Sequence, residues 1–121
     1  MDADNNNQFG LVQLTTNELS KQLAVIPNWK VQTIDIPNNS DAKGTELVRK
    51  YVFASFADAI QFMSKAAPYI DQINHHPKWE NEWVNLVVHL TTHDLGYSIS
   101  NLDIILAKYL DDLFTREFVQ V

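Results

Sequence analysis

Four histidines, His75, His76, His89 and His93, fall within nineteen consecutive residues, and the chain has no others. Imidazole accepts a proton and imidazolium gives one up near neutral pH. Two such rings held across a substrate can therefore serve as general base and general acid without large shifts of their pKa values. His75 and His76 stand in "INHHPKWENEW", Ile73 to Trp83, where a helical pattern hands over to a strand pattern. Pro77 restricts His76 to an extended backbone, and adjacent side chains of an extended chain point apart. One ring of the pair is thus expected to reach reacting atoms while the other binds or orients. His93 follows Thr91 and Thr92 at the end of a strand pattern, where a rigid sheet fixes a side chain that solvent still reaches. His89 lies inside that strand, on the face shared by Asn85, Val87 and Thr91, and reads as a surface or interface side chain.

Zinc is the first chemical rival to acid–base work. The spacing of His89 and His93 has the length of an H-x-x-x-H motif, but Leu90, Thr91 and Thr92 between them belong to a strand end, so the rings do not share a face as they would on a helix. Cysteine ligands are absent. No metal is expected. Trp79 and Trp83 read as core or subunit-interface aromatics, whereas Trp29 heads its strand at an edge where a flat heterocycle could stack. Asp71 precedes His75 by four residues and faces it if the helix persists past Pro68. Asp103 forms a capping box with Ser100 in "SNLD", which accounts for it without a function.

The elements that must position these side chains follow from periodicity. "TTNELSKQLAVI" places Thr15 in capping-box relation to Glu18 and predicts a helix over Thr15 to Ile26, stopped by Pro27. "WKVQTIDI", Trp29 to Ile36, alternates as a strand; "PNNSDAKG" reads as a turn or short loop; "TELVRKYVF" returns as a second strand, with Leu47, Arg49, Tyr51 and Phe53 on one face. Phe56, Ala59, Ile60, Met63, Ala66, Ala67 and Ile70 form a helical stripe over Ser55 to Ile70, in which Pro68 predicts a kink or a restart. A strand from Trp83 to Thr92, a short edge strand at Trp79 to Asn81, and a helix from Asn101 to Phe114 complete the order. Long helices against an antiparallel sheet make an α+β two-layer domain. The rows Leu47, Tyr51, Phe53 and Val84, Leu86, Val88, Leu90 are too apolar to be wetted together, which predicts self-association.

A chain of 121 residues holds one core, so a single domain over 15–121 is expected after a polar, disordered tail over 1–14, most marked in "MDADNNNQ". The formal net charge of −6 supplies no cationic field for phosphate backbones, and direct nucleic-acid binding is not expected. No apolar run approaches the roughly 20 residues that span a bilayer, and no signal-like stretch opens the chain; a soluble cytoplasmic protein is the expectation. None of the three glycines opens a nucleotide-binding fingerprint.

"NHHPKWENEW", then "VNLVVHLTTHDLG", then "ISNLDIILAKYLD" together resemble the pterin-4a-carbinolamine dehydratase family, known also through the dimerisation cofactor of a hepatocyte homeodomain transcription factor. The resemblance covers about Thr15 to Asp111. It implies three helices packed on one face of a four-stranded antiparallel sheet. It implies His75 and His93 as the catalytic acid and base, with His76, Pro77, Trp29 and Asp71 binding substrate and Asp103 in a supporting place. The implied reaction dehydrates a 4a-hydroxytetrahydropterin to the quinonoid dihydropterin. The pterin is then the substrate, and no separate cofactor is required. An aromatic amino acid hydroxylase would be the source of substrate, and homodimers or homotetramers the assembly. The alternative class is a non-enzymatic dimerisation or transcriptional cofactor module that binds a partner protein. The chain departs from the family pattern at Pro68 and after His93, where a single Gly96 followed by Tyr97 stands in place of a glycine pair.

Overall fold

The computed structural model describes residues 10–119. Helix α1 covers Thr16–Leu23, strand β1 Lys30–Ile36, β2 Asn39–Val52, helix α2 Phe56–Ile73, β3 Lys78–Glu82, β4 Asn85–Leu90, and α3 Asn101–Glu117, with one 3-10 turn at His93–Leu95. The four strands form a single antiparallel sheet in the order β1-β2-β4-β3. The apolar rows of the sheet are Leu47, Tyr51 and Phe53 with Leu86, Val88 and Leu90. All are buried in one core with Phe62, Ile70 and Ile73 of α2 and Leu106, Leu110 and Leu113 of α3. This is the α+β two-layer fold that the sequence predicts.

Both apolar rows point to the same side and are covered by the chain's own helices. The argument for self-association from an uncovered row therefore fails. The opposite, open face carries Gln32, Glu46, Val48, Lys50, Glu80, Val87 and His89, as the alternation of each strand requires.

The element boundaries differ from the sequence expectations in instructive ways. β2 begins at Asn39, so most of "PNNSDAKG" is strand. Pro37 and Asn38 alone make the turn, Asn38 with φ of 63°, and the register slips between Asp35 and Ile36 to absorb the extra residues. α1 ends at Leu23, earlier than the Pro27 stop, while its Thr15–Glu18 capping box is present in both directions. α2 runs unbroken through Pro68 to Ile73. Pro68 lies on the exposed side of that helix, where the missing hydrogen bond is the main cost. The buried stripe of α2 is Ala59, Phe62, Ala66, Ile70 and Ile73, which leaves Phe56 and Ile60 on the outer flank, 51% and 41% exposed. Trp83 is not the head of β4 but part of the β3–β4 turn, with φ of 53° and 71% exposure, so it is no core residue. The expected tail over Met1 to Gln8 lies outside the described residues. The chain is tied down before Thr15, because Val12 exchanges hydrogen bonds with Asn101 at the start of α3.

Candidate active site

The end of α2 decides where the paired histidines point. Asn74 caps the helix in a left-handed conformation, φ 52° and ψ 45°, and donates its N–H back to Asp71 and Ile70. This reversal breaks the one-turn relation between Asp71 and His75, so Asp71 bonds His76 Nε2 at 2.9 Å and not His75, as the sequence had suggested. That pair is on the surface, with side chains 57% and 77% exposed. His75 turns inward and meets Asp103, its Nε2 standing 2.6 Å from Oδ1.

Asp103 is fully buried and joins three segments. Its Oδ2 accepts from the backbone N–H of Ser100 at 2.9 Å, completing the capping box of α3, and from the Thr92 hydroxyl at 2.8 Å. Its Oδ1 is left for His75. The capping role is real but uses one oxygen, so the reading of Asp103 as a cap alone is incomplete. An ionised carboxylate only accepts, so the His75 nitrogen that faces it donates, and Nδ1 remains as the ring nitrogen available to a substrate. Because Thr92 immediately precedes His93, the same carboxylate anchors both sides of the site.

His93 opens the 3-10 turn and is exposed, and Tyr97 packs its ring over the imidazole at 4.6 Å between centroids. Gly96 and Tyr97 are both left-handed, with φ of 68° and 64°. Glycine adopts this conformation freely, whereas a tyrosine there is strained by about 1–2 kcal/mol. The returning chain bridges Thr92 to Ser98 and lies so close to β2 that a Cβ on Gly44 would stand 2.6 Å from the Tyr97 Cβ. The Thr45 N–H donates to the Tyr97 carbonyl at 2.8 Å across this contact.

His75, His76 and His93 line one open hollow of about 240 Å³ together with Asn74, Thr91 and Thr92. A second hollow of about 400 Å³ adjoins it over the open sheet face and shares His76, Thr91 and His93. The structure thus brings together the three histidines and the carboxylates Asp71 and Asp103. Trp29 is not among them: it is 3% exposed in the core on the helix side, its indole N–H donating to Asp111 at 2.9 Å. Pro77 lines neither hollow and links His76 to β3. His89, read as a surface or interface side chain, is 13% exposed, with Nδ1 2.6 Å from Glu46 and Nε2 2.7 Å from Glu80. Among the described residues no group of three or more histidines and carboxylates converges as a metal site, and no helix is long and apolar enough to cross a membrane.

The class that fold and site define is a small two-layer α+β domain in which three histidines, His75 backed by the buried Asp103, line one hollow at the end of the sheet. The model of the family described as Pterin 4 alpha carbinolamine dehydratase matches residues 12–113, and the chain belongs to that family. A relative from Prochlorococcus marinus, named after pterin-4-alpha-carbinolamine dehydratase, is 36% identical over 103 residues, 85% of this chain and 95% of its own. One from Sulfurisphaera tokodaii with the same name is 33% identical over 103 residues, 85% of this chain and 98% of its own. A crystal structure described as a transcriptional coactivator/pterin dehydratase from Brucella melitensis superposes with a TM-score of 0.68 at 27% identity, covering 84% of this chain and 97% of that one.

Proposed function

We propose that the chain dehydrates a 4a-hydroxytetrahydropterin to the quinonoid dihydropterin, and that His75 and His93 move the protons. The observation that carries this reading is the His75–Asp103 pair at 2.6 Å facing a hollow that His93 also lines. In this assignment His75 Nδ1 takes the proton from N5 of the pterin while protonated His93 gives one to the departing 4a-hydroxyl, which leaves as water. The C4a–O bond breaks and the N5–C4a double bond forms. Asp103, buried behind His75, stabilises the imidazolium that results and holds the ring in one orientation. His76, steered by Asp71, positions the substrate. The two histidines then return to their starting protonation states by exchange with solvent, to which His93 is open.

Rapid-mixing assays of carbinolamine loss, corrected for spontaneous dehydration, test the reading. Wild-type protein should accelerate the loss well above the spontaneous rate. A protein that folds and leaves the rate unchanged would be a binding module and not an enzyme. We further propose that copies of the chain associate through the outer flank of α2, where Phe56 and Ile60 are the exposed large apolar residues of that helix. Light scattering that gives only a monomer at micromolar concentration would overturn this.

A further inference from the structure

Carboxylates steer three of the four histidines. Asp103 holds His75, and Asp71 holds His76. His89 lies between Glu46 and Glu80 in a row across the open face of the sheet, which Gln32 completes by donating to Glu46 Oε2 at 2.5 Å. His93 is exposed and, among the described residues, forms no ion pair with a carboxylate. What meets its imidazole is the ring of Tyr97, 4.6 Å away between centroids and tilted by 35°.

Two residues depart from local preference to put that ring there. Tyr97 is left-handed, with φ of 64°, a conformation that glycine adopts freely and a bulky residue does not. Gly44 stands inside β2, although glycine is depleted from strands, and a Cβ there would lie 2.6 Å from the Tyr97 Cβ and 2.7 Å from its carbonyl oxygen. The turn itself is fixed by backbone bonds. The Tyr97 N–H donates to the Thr92 carbonyl at 3.1 Å, and the Tyr97 carbonyl accepts from the Thr45 N–H at 2.8 Å. These bonds form whatever side chain stands at position 97, so they do not account for a tyrosine. A strained residue beside a site points instead to a task for its side chain.

We infer that Tyr97 is a positioning residue for the proposed reaction: its ring covers one face of the His93 imidazole and confines it to the orientation that faces the hollow shared with His75. The inference rests on the assignment of His93 as proton donor. A ring packed on the face leaves the two nitrogens, which lie on the imidazole edge, free for proton transfer.

Asparagine at this position tests the inference, because it tolerates the left-handed conformation and carries no ring. In rapid-mixing assays Tyr97→Asn should lower kcat by roughly threefold, the scale of one aromatic contact, with KM little changed. Tyr97→Gly, which removes ring and strain together, should lose about as much. The conservative Tyr97→Phe, which keeps the ring, should rescue the rate. In a His93→Ala background Tyr97→Asn should cost nothing further, because the ring acts through that imidazole. Wild-type kcat in both Tyr97→Asn and Tyr97→Gly would overturn the inference and leave the dehydratase reading intact. So would a full further loss in the double variant, or a loss in Tyr97→Phe as large as that in Tyr97→Asn. An unchanged kcat in His93→Ala alone would overturn the proton-donor assignment and the inference with it.

Discussion

His75 and His89 are alike in several respects. Each is a nearly covered histidine, 11% and 13% exposed, with a carboxylate oxygen 2.6 Å from a ring nitrogen. They differ in what remains. His75 spends Nε2 on Asp103 and keeps Nδ1, whereas His89 has Glu46 on one side and Glu80 on the other. A ring with both nitrogens engaged can brace a wall but cannot exchange a proton with a substrate without breaking a bond to a carboxylate. Availability of one nitrogen, more than burial or the presence of an acidic partner, separates a candidate base from a strut.

The sharpest way to break this contrast is alanine substitution. His75→Ala and His93→Ala should each lower kcat by roughly 10²-fold or more, the scale of general acid–base catalysis, in rapid-mixing assays corrected for the spontaneous reaction. His89→Ala should lower kcat by no more than about threefold. Comparable losses at His75 and His89 would erase the distinction. Next in size is Asp103→Asn, which keeps an oxygen for the Ser100 and Thr92 donors but presents the wrong charge to His75. A loss in kcat of roughly tenfold is expected, with the cap largely retained in thermal unfolding. If instead stability falls and kcat per folded molecule does not, Asp103 is a cap and no more.

A smaller effect sharpens the other wall. Gly44→Ala must displace the Tyr97 segment, given the 2.6 Å approach, and should shift His93 enough to lower kcat by roughly fivefold. Adding Tyr97→Gly removes one clashing atom and the left-handed strain, while the Tyr97 carbonyl, 2.7 Å from the same Cβ, still presses on it, so the double variant should recover only part of that loss. A loss of activity in Tyr97→Gly alone, with Gly44 kept, would mean that Tyr97 is needed for its ring against His93. Smallest is His76→Ala, whose surface pairing with Asp71 predicts a change in KM of about threefold to tenfold with kcat little altered.

Much of this arrangement was legible from residue order because it depends on local rules. Alternation assigned Leu47, Tyr51 and Phe53 to one face, capping residues marked Thr15 and Ser100, and the H-H-P and T-H elements marked the three histidines. What escaped depended on where the chain reverses or what lies across the fold. Asn74 in a left-handed conformation reassigned Asp71 from His75 to His76, and the one signal for that ending in "DQINHH" is the asparagine itself, a residue type that also occurs within helices. The second oxygen of Asp103 was invisible because the local cap satisfied the sequence pattern without it. Trp29 has a strand-edge position in the chain, but its indole N–H is claimed by Asp111, which also accepts from Arg49 and Tyr51, some sixty residues or more away in sequence. Glu46 looks like any glutamate on a strand. Only the register that sets Gln32 beside it and His89 diagonally across from it reveals the row.

The Thr45 amide, bonded to the Tyr97 carbonyl at 2.8 Å, has a use beyond architecture. Its hydrogen cannot exchange with solvent until the segment behind His93 lifts from β2, so its exchange rate clocks the opening of that wall of the site. Neighbouring β2 amides bonded to β4, such as that of Tyr51, report opening of the sheet itself. In deuterated solvent, a Thr45 signal that decays much faster than the rest of β2 would measure the breathing of the His93 wall while the scaffold beneath it stays closed.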